Sequence, residues 1–332
     1  MGLMKIDGHR HVVLPEAITI AAKLDPDRSS NIYPSGLDEK SGEINRQKGV
    51  EWDRKMSDFD ENLADLTAGG MDMGVLQPTQ TMFFYWAETA AAGELTRMVN
   101  EYTAQGVQQS PEQFVGLATI PLQDVDLAIK ELTYAVQELE LKGVVTGSNI
   151  NGHGFDEEQF QPFFEKVEEL DVPIFIHPNS PAGIERVRNY YLANFLAYPL
   201  ESTVTAAQFV FGGVLDRYPN LKICLSHAGG VLPFLLGRLE HGQSVRPEAQ
   251  SHCKHPFHHY LKNFYVDTIT FRPDTLRFVL EVMPEGHVFM GTDYPYDMAE
   301  TDPVDSVKSA VKDKNLQDKI YGGNLNVVMG LS

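Results

Sequence analysis

Two histidines open the chemistry of this chain. His9 and His11 stand at i and i+2 in Lys5-Ile6-Asp7-Gly8-His9-Arg10-His11-Val12-Val13, at the end of a short apolar run. On a strand, residues two apart project to the same side. The pair therefore offers two imidazoles to one point, which suits a metal ion. Taken alone, a His-x-His pair reads equally as a surface accident or a satisfied structural pair. Three later segments repeat the pattern of an apolar run closed by His or Asp: Pro173-Ile174-Phe175-Ile176-His177, Ile223-Cys224-Leu225-Ser226-His227 and Val288-Phe289-Met290-Gly291-Thr292-Asp293. One such residue would be read as a loop cap. Four imidazoles and one carboxylate together make an inventory for Zn2+ with an open coordination position, where a water ionises near neutral pH.

Such residues need a scaffold that brings strand ends together. Short apolar runs alternate with longer helical patterns: strands are expected at 5–13, 73–77, 114–121, 143–150, 172–177, 221–227, 264–269 and 288–293. Helices are expected over 57–68, 88–109, 124–140, 156–170, 199–217, 273–283, after Gly229-Gly230, and in two closing segments near 302–313 and 315–321. Repeated β-then-α order implies parallel strands with crossover helices. Eight such units over 332 residues imply a distorted (β/α)8 TIM barrel, an α/β fold. A doubly wound open sheet would need a glycine-rich phosphate loop after an early strand, and the chain has none. The chain reads as a single domain, 1–332. After strand 1 comes an inserted region, about 14–56, where Pro15, Pro26, Pro34, Gly36, Gly42 and Gly49 imply a loop with at most short helices. In a parallel barrel, catalytic residues gather at the C-terminal ends of the strands, and His9, His11, His177, His227 and Asp293 all fall there.

The bulk numbers narrow the partners. The hydrophobic content, 42%, supports a sizeable core, and the net charge is −19. An acidic surface repels phosphate backbones and anionic lipid, so nucleic acid and membrane are poor partners. An anionic substrate would need local positive charge from a metal or arginines. Two cysteines, Cys224 and Cys253, make no disulfide framework, and a cytoplasmic location is expected. The opening residues contain no signal-peptide core, Ile6 does not support myristoylation, and no apolar run approaches a membrane span.

The motifs Asp-Gly-His-Arg-His, Ile-His-Pro, Leu-Ser-His-Ala-Gly-Gly and Gly-Thr-Asp-Tyr-Pro resemble the amidohydrolase superfamily, and within it the branch of metal-dependent decarboxylases typified by aminocarboxymuconate-semialdehyde decarboxylase. Supporting stretches are Pro121–Ala128, Phe234-Leu235-Leu236-Gly237-Arg238 and Phe264-Tyr265-Val266-Asp267-Thr268. The resemblance implies that His9, His11, His177 and Asp293 bind one divalent metal, zinc before manganese. It implies catalytic roles for His227, as an acid/base off the metal, and for Asp293. For substrate binding it points to Arg46, Arg238, Tyr190 and Tyr296, with Arg246 a less direct match. It implies a homodimer in which Arg238 reaches the neighbouring active site. The implied reaction is non-oxidative decarboxylation of an aromatic or unsaturated carboxylate, by a metal-activated water with His227. The chain departs from the branch pattern around 25–56 and at Asn179-Ser180-Pro181, stretches that shape the pocket.

The first alternative keeps the site and changes the reaction, to a metal-dependent hydrolase or hydratase of a lactone, ester, amide or unsaturated acid. The second is a barrel that only binds a small carboxylate or a protein. The run His252-Cys253-Lys254-His255-Pro256-Phe257-His258-His259 lacks a paired Cys-x-x-Cys and reads as a solvated connection rather than a second metal site. His153 reads as a turn residue, His241 and His287 as surface positions, and Phe83 to Trp86 as packing or pocket wall.

Overall fold

The computed structural model describes residues 4–25 and 38–331. Eight parallel strands form its frame: β1 (Ile6–Val12), β2 (Met73–Pro78), β3 (Phe114–Gly116), β4 (Val144–Gly147), β5 (Ile174–His177), β6 (Ile223–Leu225), β7 (Phe264–Asp267) and β8 (Val288–Phe289). They pair in the orders β1-β2-β3 and β4-β5-β6-β7-β8. Two narrow seams join these sheets. Ala118 bridges Val144, reinforced by Ala118 N–H to Gly143 O (2.9 Å) and Val145 N–H to Ala118 O (2.8 Å). Arg10 bridges Tyr294, with Gly8 N–H to Met290 O (2.9 Å), Asp293 N–H to His9 O (2.8 Å) and His11 N–H to Tyr294 O (3.0 Å). The ring therefore closes as the distorted (β/α)8 TIM barrel expected from the repeated β-then-α order.

The strands are shorter than the apolar runs that announce them. β8 is regular only over Val288–Phe289, and Asp293 beyond it has a φ of +66°. The seam with β1 carries the pairing onward. Residues 14–56 correct the expectation of a loop with at most short helices. They contain α1 (Pro15–Leu24) and the 19-residue α2 (Glu39–Ser57). Pro15 sits in the first turn of α1, where its missing N–H costs nothing. Asp38 caps α2 by accepting from Ser41 N–H. Asn45, Gly49, Trp52 and Met56 form the buried face of α2 at helical spacing. Pro26, Pro34 and Gly36 lie outside the described residues.

The remaining helices follow the expected order: α3 (Phe59–Ala68), α4 (Thr89–Gln109), α5 (Val125–Gln137), α6 (Gln161–Leu170), α7 (Tyr198–Phe211), α8 (Val214–Arg217), α9 (Leu232–Val245) and α10 (Pro273–Val282). The helix expected over 199–217 breaks into α7 and α8 at Gly213, which is left-handed. Three helices close the chain rather than two: α11 (Pro303–Ala310), α12 (Lys314–Asp318) and α13 (Asn324–Met329). No described helix is long and apolar enough to cross a membrane.

One buried cation fixes β1 against its surroundings. Arg10 is fully buried, donating through Nε and one terminal nitrogen to Asn62 of α3 and through the other to Asp7 Oδ2 (3.2 Å), with the Tyr294 ring 3.6 Å from its guanidinium carbon. Asp7 also accepts from Thr292 N–H (3.0 Å) and Thr292 Oγ1–H (2.6 Å), beside Asp293. Gly8 permits the seam, since a Cβ there would lie 2.6 Å from the Phe289 ring. The Asp-Gly-His-Arg-His stretch thus alternates residues that aim into the barrel with residues that lock the strand from behind.

Candidate metal centre

His9 and His11, two apart on β1, both aim into the barrel mouth. They meet His177 from the end of β5 and Asp293 from beyond β8, and one ligand atom from each of the four lies within 4.8 Å of the others. The convergence is on a single oxygen. Oδ1 of Asp293 is 2.9 Å from His11 Nε2, 3.4 Å from His9 Nε2 and 3.9 Å from His177 Nε2.

Hydrogen bonding settles which nitrogen two of the rings present. His9 Nδ1–H donates to the Asp267 carboxylate (2.9 Å), and His177 Nδ1–H to the Pro178 carbonyl (3.2 Å). A carboxylate or carbonyl only accepts, so in the neutral rings Nε2 carries the lone pair. Those two Nε2 atoms are buried without a hydrogen-bond partner. Lone pairs packed against a carboxylate oxygen repel unless a cation sits among them. Three imidazoles and a carboxylate with such orphaned acceptors fit a divalent metal ion. This is a buried His-His-His-Asp metal site.

The charge states of His177 and His11 agree with that use. Burial pushes His177 down to about 3, well into the neutral range at physiological pH, and lowers His11. Burial also opposes charge on His9, but Asp293 and Asp267 outweigh it and raise this ring. Burial works against the Asp293 carboxylate as well, yet the surrounding imidazoles hold it well below the usual range.

His227 stands beside the ligands. Its Nε2 is 3.4 Å from Asp293 Oδ2, and its side chain is 18% exposed, enough to face the cavity. Both His227 and Ala228 are left-handed, with φ of +57° and +55°. Asp267 holds them there, its carboxylate accepting from His227 N–H (2.9 Å) and Ala228 N–H (2.8 Å) while it also accepts from His9 Nδ1–H. Burial raises the Asp267 carboxyl, but the bond from His9 and the nearby imidazoles keep it below the ordinary carboxylate range. Asp267 ends the apolar run Phe264-Tyr265-Val266, so the rule that singled out the other five residues applies to it too; sequence reasoning gave it no role.

The cavity beside the metal site is walled by Gln80, Tyr191, Asn194, Tyr198 and Tyr296, with His177, His227 and Asp293 at its base. Of the expected substrate-binding residues, the structure brings only Tyr296 to this wall, its ring 5.3 Å from that of His11. Tyr190 is 80% exposed, and its neighbour Tyr191 takes the inward position. Arg46 is exposed on α2, one residue past the buried Asn45, and folds back toward Gly42 of its own helix. Arg238 and Arg246 are exposed on α9 and at its end, Arg246 paired with Glu248. Burial pushes the Tyr191 phenol up to about 12, so it remains a hydroxyl at neutral pH. Nothing in the local sequence marked Gln80, Asn194 or Tyr198.

A profile of the amidohydrolase family matches residues 6–324. The chain belongs to the amidohydrolase family. Within that family it is 34% identical over 284 residues to 2-amino-3-carboxymuconate-6-semialdehyde decarboxylase of Dictyostelium discoideum, covering 85% of this chain and 79% of that protein. It is 32% identical over 224 residues to gamma-resorcylate decarboxylase of a Polaromonas species, covering 64% and 69%. Among solved structures, 5-carboxyvanillate decarboxylase of Sphingomonas paucimobilis superposes with a TM-score of 0.87 at 26% identity, covering 99% of this chain and all of that one. This amidohydrolase thus falls in the branch of decarboxylases that its motifs resemble.

If Asp267 orients both His9 and the His227 turn, Asp267→Asn should weaken metal binding by about 10–100-fold. Competition with a chromogenic chelator measures this, and unchanged affinity would contradict the role given to Asp267.

Proposed function

We propose that this amidohydrolase is a metal-dependent, non-oxidative decarboxylase of an aromatic or unsaturated carboxylate, with His227 as its acid/base. The observation that carries the proposal is His227 itself. It is pinned in a left-handed conformation, off the ligand set yet against Asp293, with one face toward the cavity. The names of the relatives support decarboxylation over hydrolysis. A binding-only barrel would have no use for so costly an arrangement beside four intact ligands.

A divalent ion held by His9, His11, His177 and Asp293 would supply Lewis acidity to substrate oxygens. Three nitrogens and one carboxylate favour zinc over manganese, which prefers oxygen ligands. In the reaction, the bond between the ring or vinyl carbon and the carboxylate carbon breaks and CO2 departs. The electron pair left on carbon takes a proton, which His227 is placed to deliver. The walls around it offer neutral hydroxyls and amides.

Arg238 supports a homodimer reading. It lies one turn from Phe234, 79% exposed on α9, while Leu200 and Val204 are exposed on α7. A second copy covering these residues would carry its own Arg238 toward this cavity. Sedimentation of the chain as a monomer at micromolar concentration would remove this part of the proposal.

The test of the reaction is CO2 release by zinc-loaded protein across a panel of aromatic and unsaturated carboxylates. His227→Asn should abolish release while metal content stays at one ion per chain. Turnover retained by His227→Asn, or turnover of lactones or esters with no CO2 from any acid, would overturn the assignment.

A further inference from the structure

Behind the cavity wall runs a hydrogen-bond chain whose direction is fixed. Thr79, buried at the end of β2, places Oγ1 2.6 Å from the Tyr296 hydroxyl and 3.0 Å from Gln80 Oε1. A hydroxyl has one proton. The amide oxygen of Gln80 only accepts, so Thr79 must donate to it. With its proton committed there, Thr79 must accept from Tyr296. The order is Tyr296 O–H to Thr79 Oγ1, then Thr79 O–H to Gln80 Oε1.

The chain determines how Gln80 faces the cavity. Its carbonyl is held by Thr79, which turns the Nε2 amide protons the other way. Gln80 lies two residues past β2, at the end of the barrel where the metal ligands gather, and it lines the same cavity as His177, His227 and Asp293. Among the described residues lining that cavity there is no arginine or lysine. The wall therefore meets an anion with oriented neutral dipoles, Gln80 N–H foremost.

We propose that Gln80 is a substrate-binding residue whose Nε2–H donates to the carboxylate of the bound acid, oriented for that task by the Thr79–Tyr296 relay. This rests on the reading of the chain as an enzyme of carboxylates. A neutral donor suits a carboxylate that must leave. It orients the group with a directional hydrogen bond, a task separate from the charge that a metal or an arginine brings. The amide discriminates for an oxygen acceptor against an isosteric group that accepts poorly.

The experiment is calorimetric titration of zinc-loaded protein with benzoate and with nitrobenzene, its uncharged isostere and a poor acceptor. Gln80→Leu keeps the bulk of the side chain and loses the donor. It should weaken benzoate by about tenfold or more and leave nitrobenzene unchanged. Thr79→Val, which frees the amide to turn, should weaken benzoate by about threefold. Zinc content stays at one per chain in both variants. With a turned-over substrate, Gln80→Leu should raise KM while kcat changes by less than about threefold. Equal benzoate affinity in wild type and Gln80→Leu, a parallel loss for nitrobenzene, or no benzoate binding by the wild type would overturn the proposal. Gln80-dependent benzoate binding in a protein that releases no CO2 would instead leave this proposal standing and reject decarboxylation.

Discussion

The carboxylate of Asp267 is the interaction on which the site depends. It accepts a hydrogen bond from His9 Nδ1–H, so the Nε2 lone pair of that ring points at the ligand cluster, and it accepts from the backbone N–H groups of His227 and Ala228. Left-handed backbone costs a non-glycine residue roughly 1–2 kcal/mol, and two adjacent residues bear that cost here. Hydrogen bonds to a charged acceptor contribute about 1.5–3 kcal/mol each, enough to offset it. One buried anion therefore sets a ligand on β1 and the acid/base after β6 from a single position on β7.

The metal ligands and the closure of the barrel are the same structure. β1 and the segment beyond β8 meet through Gly8, His9, His11, Met290, Asp293 and Tyr294. Two of the backbone bonds at this seam involve ligand residues directly. Asp7, before the histidines, and Arg10, between them, tie the seam to Thr292 and to α3. The residues flanking His9 and His11 are thus tied to the position of those rings, and Gly8 is where Phe289 passes closest.

The barrel order and the ligand set were legible because each strand announces itself as an apolar run and each ligand as the polar residue that ends it. Asp267 obeys the same rule, but the strand expected over 264–269 runs past it and hides it inside the strand, whereas β7 ends on it. α2 was illegible for a physical reason. Its buried face is Asn45, Gly49, Trp52 and Met56, only two of them apolar, so periodicity in hydrophobicity is weak and its glycines look like breaks. The cavity wall was less legible still. Tyr191 rather than Tyr190 turns inward because of paired left-handed residues that no pattern reveals. Gln80 and Asn194 are polar residues at partly exposed positions, indistinguishable in sequence from solvated ones.

A chain with a net charge of −19 draws an anion into a cavity with no described cationic side chain on its wall, which leaves the metal as its central attraction. The most direct test is to strip the protein with a chelator and titrate zinc back while following CO2 from the best acid. The metal-free chain should release no CO2, and release should rise linearly and level at one zinc per chain. Full activity without metal, or no CO2 at any zinc level, would contradict this.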